Sequence, residues 1–207
     1  MDLFADLEKL EIIPNERQIN GVEIILREHL KWNRVSNLSA HRTQTNVWIY
    51  QILDSLSPYR FIKTGNLLDI GTGPGFPGLP LALMCPDTHV TLLDSNRKKL
   101  AFARHVQSLC ELDNVTVIHG RVEAFQPEIK FDQIISRAFT HLNGMIHSSL
   151  DLLSLNGEIL AMKGTRANSE ILEAEAEFEE CSMTLHKLPH IVDEQRMLVL
   201  VRQRKNE

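Results

Sequence analysis

Residues 66–81 read NLLDIGTGPGFPGLPL. Leu67, Leu68 and Ile70 make a short apolar run around Asp69, the pattern of a buried strand that ends at the acid. Gly71, Gly73, Gly75 and Gly78 follow, interleaved with Pro74 and Pro77, and then a helical apolar run through Leu79, Leu81, Ala82 and Leu83. Strand, glycine turn and helix in that order present backbone N–H groups to a ligand at a helix N-terminus. Glycine suits the turn because the chain must reverse tightly and let a ligand approach bare backbone.

Two frames fit the turn. Gly73-Pro74-Gly75-Phe76-Pro77-Gly78 satisfies the dinucleotide fingerprint GxGxxG, but it falls late and leaves Gly71 over. The second frame starts on the acid, Asp69-x-Gly71-x-Gly73-x-Gly75, and resembles motif I of class I S-adenosylmethionine (SAM) methyltransferases. SAM carries an amino group and a sulfonium where a dinucleotide carries a pyrophosphate, and these suit a carboxylate and backbone carbonyls. Asp69 is therefore expected to meet the amino group or to brace the turn. A strand-terminal Asp that only caps the turn is the plainer alternative.

The whole chain sets bounds on this site. Its 207 residues suit one domain with a small appendage: a helical extension over 1–60 and one α/β unit over 61–207. No apolar run reaches transmembrane length, and the opening MDLFADLEKLEI is acidic and amphipathic, unlike a secretory signal. Cys85, Cys110 and Cys181 make neither a zinc spacing nor a disulfide framework, which points to a reducing cytoplasm and to no metal. The net charge of −5 argues against indiscriminate nucleic-acid binding. Much of the acid is concentrated in Glu170, Glu173, Glu175, Glu177, Glu179 and Glu180, which read as one solvated helix and leave room for basic patches elsewhere.

In order, Leu3, Leu7 and Leu10 space like one helix face, and Asn15 with Gln18 forms a capping box opening a helix striped by Ile19, Val22, Leu26 and Leu30. Gly21 weakens that helix relative to Ala. The segment beyond it holds Lys31, Asn33, Arg34, Asn37, His41 and Arg42, either a helix end with Trp32 packed and Asn37 terminating, or a rim facing substrate. A third helix carries Val47, Ile49, Ile52, Leu53 and Leu56 and stops before Pro58. From residue 66 strands and helices alternate, the signature of a parallel sheet flanked by helices. Asp94, with Ser95 beside it, lies about 20 residues past the glycines, where a carboxylate accepts both hydroxyls of a ribose. Arg97, Lys98, Lys99 and Arg104 form a solvated helix face. Val122 and Glu123 are placed to bond an adenine through backbone. Arg137 closes the fourth strand, read as 131–139, where a cation is poorly explained unless paired with an acid such as Asp69 or used. Lys163 closes the fifth. Residues 183–188 and 196–201 are two strands, the second central, whose antiparallel pairing the resemblance to SAM methyltransferases implies, and Arg202, Arg204 and Lys205 make a mobile tail.

Several motifs now coincide: LKWNRVSNLSA, ILDSL, LLDIGTGPGFPGLPLAL, LLDS followed by RKK, GRVEAF, FDQIISRAF and AMKG. Nearly end to end, the chain is similar to the bacterial 16S rRNA (guanine-N7) methyltransferases, the family called glucose-inhibited division protein B. Gln51 stands where that family usually has His. The resemblance implies a Rossmann-like class I fold and SAM-dependent transfer to a guanine in the decoding-region loop of small-subunit rRNA. It also implies SAM contacts at Gly71, Phe76, Val122, Glu123 and Arg137, with Lys163 and Arg196 near the RNA. Asn33, Arg34 and Asn37 are further RNA candidates, and Arg137 and Lys163 the catalytic ones.

The chemistry is compatible. Guanine N7 has an in-plane lone pair and no proton, so no general base is required, and the chain offers no obvious His dyad or Cys nucleophile. Alignment carries such a reaction, with Phe139 or Arg137 supplying a plane to hold a splayed base. Three alternatives remain: a methyltransferase acting on a small molecule or protein, a ribosome-assembly module retaining SAM, and a nicotinamide dehydrogenase. The enzyme is expected to act as a monomer.

Overall fold

The computed structural model describes residues 2–189 and 196–204. Seven strands form one sheet: β1 Gly65–Ile70, β2 Thr88–Asp94, β3 Val115–His119, β4 Phe131–Arg137, β5 Leu153–Lys163, β6 Cys181–Lys187 and β7 Met197–Gln203. Their order is β3-β2-β1-β4-β5-β7-β6. The first five are parallel, and β7 inserts antiparallel between β5 and β6. The order reverses between β1 and β4, so a crevice opens at their carboxyl ends, where open α/β sheets bind ligands.

Among the described residues eight α-helical segments accompany the sheet: α1 Leu3–Glu8, α2 Glu16–Ser36, α3 Gln44–Val47, α4 Asp54–Leu56, α5 Gly78–Met84, α6 Arg97–Leu109, α7 Leu142–Ser149 and α8 Ala167–Glu177. A π-helical stretch, Trp48–Leu53, joins α3 to α4. Alternate strand residues feed opposite faces. Leu67 joins Val22, Ile25, Trp48, Leu79 and Phe102 on one side. Leu68 and Ile70 join Leu142, Ile146 and Phe178 on the other. The helices before β1 therefore share a core with α5, α6 and the sheet.

Local chemistry explains the elements. Asn15 and Gln18 complete a reciprocal capping box at the start of α2, and Asn37 ends it in the left-handed region at φ 46. Gly21 lets α2 pack closely on α5: a Cβ there would lie 2.6 Å from Leu83 Cδ1, so that side chain would have to shift. Trp48 is fully buried and donates its indole N–H to Asp6 Oδ2 at 2.9 Å.

Four sequence expectations need correction. β1 runs one residue past Asp69, and β4 stops at Arg137 because Ala138 turns to φ 53. Arg202 is no mobile tail: it lies in β7 and pairs with Glu158, a carboxylate 1% exposed that also holds Lys63 Nζ at 2.8 Å and Gln133. A buried acid requires such partners. Arg204 donates its backbone N–H to Glu180 O, and Lys205 lies outside the described residues. The acidic run is not one solvated helix either. α8 ends at Glu177, before Glu179 and Glu180, and Glu170 is buried. Among the described residues no helix is long and apolar enough to cross a membrane.

Candidate active site

Two adjoining cavities occupy the crevice. The smaller, about 380 Å³, is lined by Ile70, Gly71, Leu93, Asp94, Ser95, Gly120, Arg121, Val122, Glu123, Ala138 and Phe139. It gathers the carboxyl ends of β1, β2 and β3, because parallel strands in register deliver their following turns to one edge. Five of the expected cofactor residues, Gly71, Asp94, Ser95, Val122 and Glu123, meet there.

Asp94 does not cap α6; Asn96 does. Its Oδ2 accepts the Gly73 N–H at 2.8 Å and its Oδ1 the Asn96 N–H at 2.6 Å. A carboxylate has about four acceptor positions, so capacity remains for a diol. Gly71, Gly73 and Gly75 have φ of 67, 59 and 101, which matches the frame that starts on Asp69. Gly78 serves packing instead: its N–H bonds Asp69, and a Cβ would strike Leu92.

Asp69 is fully buried beneath the turn. Its Oδ2 accepts the Thr72 hydroxyl at 2.5 Å and the Gly78 N–H at 2.8 Å, while its Oδ1 has no partner. Burial pushes the carboxyl up to about 7, against the pull of those two donors. Bracing the turn is thus visible in the structure. Phe76 faces away from both cavities. Its ring is buried against His29, with the Arg137 guanidinium 5.8 Å from its centroid.

The larger cavity, about 900 Å³, lies over the ends of β4 and β5. Its wall carries Arg137, Lys163, Arg166 and Arg196 together with His41, Tyr50, Asp54 and Glu170. Arg137 pairs with an acid, as one expectation had it, but the acid is Asp54. Nη1 donates to Asp54 Oδ2 at 3.0 Å and to Tyr50 O at 2.9 Å, and Nη2 donates to Gln51 Oε1 at 2.7 Å. The side chain stays 19% exposed to the cavity. Lys163 is held too, with Nζ 2.8 Å from Glu170 Oε2 and 2.7 Å from Thr140 O. Burial raises the Glu170 carboxyl, but Lys163 and the Leu142 N–H outweigh it and hold it below the usual range.

The rim expected around α2 divides. Asn33 is 2% exposed and fastens the loop beyond the helix, donating to His41 O at 2.7 Å and accepting the Ser39 N–H at 3.0 Å. It is a brace, not a rim residue, because both ends of its amide are spent on loop backbone. Asn37 accepts from Arg42 at 2.8 Å, and Arg34 is exposed in the last turn of α2. Neither lines either of these two cavities. His41 stacks on Tyr50 at 4.7 Å between centroids and does line the larger one.

Sequence reasoning missed Asp54, Tyr50, Arg166 and Glu170. The signal available was ILDSL itself, an acid inside an apolar helical stripe, a placement that burial makes expensive unless a cation meets it.

The model of the family described as rRNA small subunit methyltransferase G matches residues 18–199. The ribosomal RNA small subunit methyltransferase G of Shewanella woodyi is 39% identical over 200 residues, 97% of this chain and 95% of that one. That of Klebsiella pneumoniae is 38% identical over 170 residues, 82% of each. Among solved structures, TYW2 of M. jannaschii in complex with AdoMet aligns with a TM-score of 0.56 at 17% identity, covering 75% of this chain and 76% of that one. An rRNA methylase from Streptococcus thermophilus aligns with a TM-score of 0.55 at 14% identity, covering 74% and 95%. At such identities the solved structures speak for the class I fold alone.

Proposed function

The chain belongs to the rRNA small subunit methyltransferase G family, and we propose that its adjoining cavities bring a methyl group from SAM to N7 of a guanine in the decoding-region loop of small-subunit rRNA. The single observation that carries this is the pairing of a glycine-and-acid cavity with a cation-walled one at the same sheet edge. When bound, SAM supplies a methyl on a sulfonium, an electrophile that needs no activation.

The residues present fit SAM. Gly71 offers bare backbone beside Asp94 and Ser95, with Val122 and Glu123 across the smaller cavity. Asp69 holds an unsatisfied buried oxygen under the turn. We assign the ribose to Asp94, the adenine to the backbone of Val122 and Glu123, and the methionine end to the side nearest Arg137. Gly73, Gly75 and Phe76 shape the turn from beneath.

On the substrate side, guanine N7 brings its own lone pair, so this chain's task is alignment and exclusion of water. Arg137 turns its remaining N–H groups to the cavity, and O6 or a phosphate is its natural partner, since a donor on N7 would block the attacking pair. Arg166 lines the cavity with no ion pair among the described residues, which suits an RNA phosphate. Lys163 and Arg196 contribute positive potential from the same wall, and Arg34 and Asn37 extend the contact beyond it. We read the enzyme as a metal-free monomer of the cytoplasm.

Transfer of labelled methyl from SAM to 16S rRNA lacking the modification tests this. Label in N7-methylguanosine supports it. Label only in protein or small molecules, or none, contradicts it.

A further inference from the structure

Asp54 joins two arginines that are far apart in the chain. Its carboxyl is 4% exposed on the wall of the larger cavity. Oδ2 takes Arg137 Nη1 at 3.0 Å, and Oδ1 takes Arg196 Nε at 2.8 Å. Arg137 closes β4, 83 residues later, and Arg196 precedes β7, 142 residues later. Each oxygen serves a different arginine, one at the end of β4 and one just before β7.

Stability alone does not account for this arrangement. Buried ion triads are often matched or bettered by apolar packing of the same volume. Here the triad sits on a cavity wall instead of within a core, and one carboxylate cannot cancel two guanidiniums. The helix that carries Asp54 is also unusual. It opens into a π-helical stretch, Trp48–Leu53, and such stretches concentrate at functional sites. That stretch supplies Tyr50 O and Gln51 Oε1 to the same guanidinium of Arg137.

We propose that Asp54 is a positioning residue of the methyl-transfer site. It fixes Arg137 and Arg196 relative to each other, so that both cations meet the RNA already ordered. Asp54 itself touches neither SAM nor RNA; its carboxylate faces the arginines. The inference rests on the methyltransferase reading above.

The test is Asp54→Asn, close in shape but with one acceptor oxygen replaced by a donor. One arginine then loses its contact with residue 54, and the fixed spacing between the two guanidiniums goes with it. At saturating SAM and saturating unmodified 16S rRNA, the single-turnover rate should fall by about tenfold or more, since misplacement near 1 Å can lose up to ~100-fold. Affinity for that rRNA should stay level or tighten, because the wall gains one net positive charge. SAM affinity should stay within about threefold, and Asp54→Glu should regain part of the rate. A brace without positioning duty would instead lower melting temperature, both affinities and rate together, with no split between binding and turnover. That pattern overturns the proposal, as does a wild-type rate in Asp54→Asn. If Asp54→Asn does not fold, Asp54→Glu decides. Its extra methylene shifts the arginines without removing the charge, so a rate lowered about threefold or more at unchanged binding supports positioning, and an unchanged rate overturns it. Wild-type protein that transfers no methyl to rRNA overturns the underlying function, an outcome distinct from an active wild type with an active Asp54→Asn.

Discussion

The Gly73 backbone N–H donates to Asp94 Oδ2 at 2.8 Å, so the glycine turn after β1 is tied to the tip of β2. One carboxylate thus shapes the turn and faces the cavity proposed for the cofactor.

Asp94→Ala should therefore weaken SAM on two grounds, a lost ribose acceptor and a released turn. Together these should cost about 1.5–3 kcal/mol of binding, the scale of hydrogen bonds to charged groups. Isothermal calorimetry with SAM and its demethylated product measures this. An unchanged dissociation constant would reduce Asp94 to a brace for Gly73. NAD should not bind the wild type, and equal NAD affinity would favour the dinucleotide frame.

Arg137→Lys should lose most turnover while the fold survives. Lysine keeps the charge but cannot reach Tyr50 O, Gln51 Oε1 and Asp54 Oδ2 with one planar group. Melting temperature set beside single-turnover methylation checks this. Near-wild-type SAM affinity and transfer in Arg137→Ala would make the residue structural.

Lys163→Met strands Glu170, whose carboxyl also accepts the Leu142 N–H at 2.9 Å. Removing one partner of a buried pair costs about 3–5 kcal/mol. Adding Glu170→Gln should restore most of that stability in chemical denaturation. If the double variant regains stability but not turnover, Lys163 also serves the RNA; if turnover returns with stability, it is a brace only.

Above the acid range in which the lowered carboxyls of Glu28, Glu158 and Glu170 take up protons, stability against pH should be shallow in the wild type because two buried groups oppose each other. Burial pushes His29, with neither ring nitrogen partnered, down to about 4 from 6.5. As pH falls from about 6.5 to 4 the unfolded chain takes up that proton first, and about 3 kcal/mol of stability is lost. Asp69 is raised to about 7 from 3.8, so its contribution is full below 3.8 and is lost as pH rises through 7. Between pH 4 and 6.5 the two slopes have opposite sign. His29→Leu should leave stability rising toward acid, and Asp69→Asn should leave it falling. Parallel profiles for the two variants would show that these groups titrate normally.

What could be seen in the sequence was what neighbours in the chain decide. The strand–glycine–helix order and the capping box at Asn15 follow from local spacing, the antiparallel final pair from the methyltransferase resemblance, and the structure has all three. The fate of each charge was less visible. Arg137 and Lys163 stood out as cations at strand ends, yet their partners Asp54 and Glu170 are set by the crossing of distant elements. Asn33 looked like a rim amide because its neighbours are polar, but the loop through His41 folds back over it. Arg202 looked like tail because nothing nearby in sequence requires a cation, whereas Glu158 across the β5–β7 pair does.

The central claim is that this sheet edge delivers a methyl group to N7 of one guanine in small-subunit rRNA. Nucleotide-resolution mapping of N7-methylguanosine in 16S rRNA, from cells with and without this protein and after adding purified protein and SAM to the unmodified subunit, measures it directly. One site in the decoding-region loop is expected, absent without the protein and restored by wild type but not by Arg137→Ala. An identical methylation map in both cells, with no new site on addition, would contradict it.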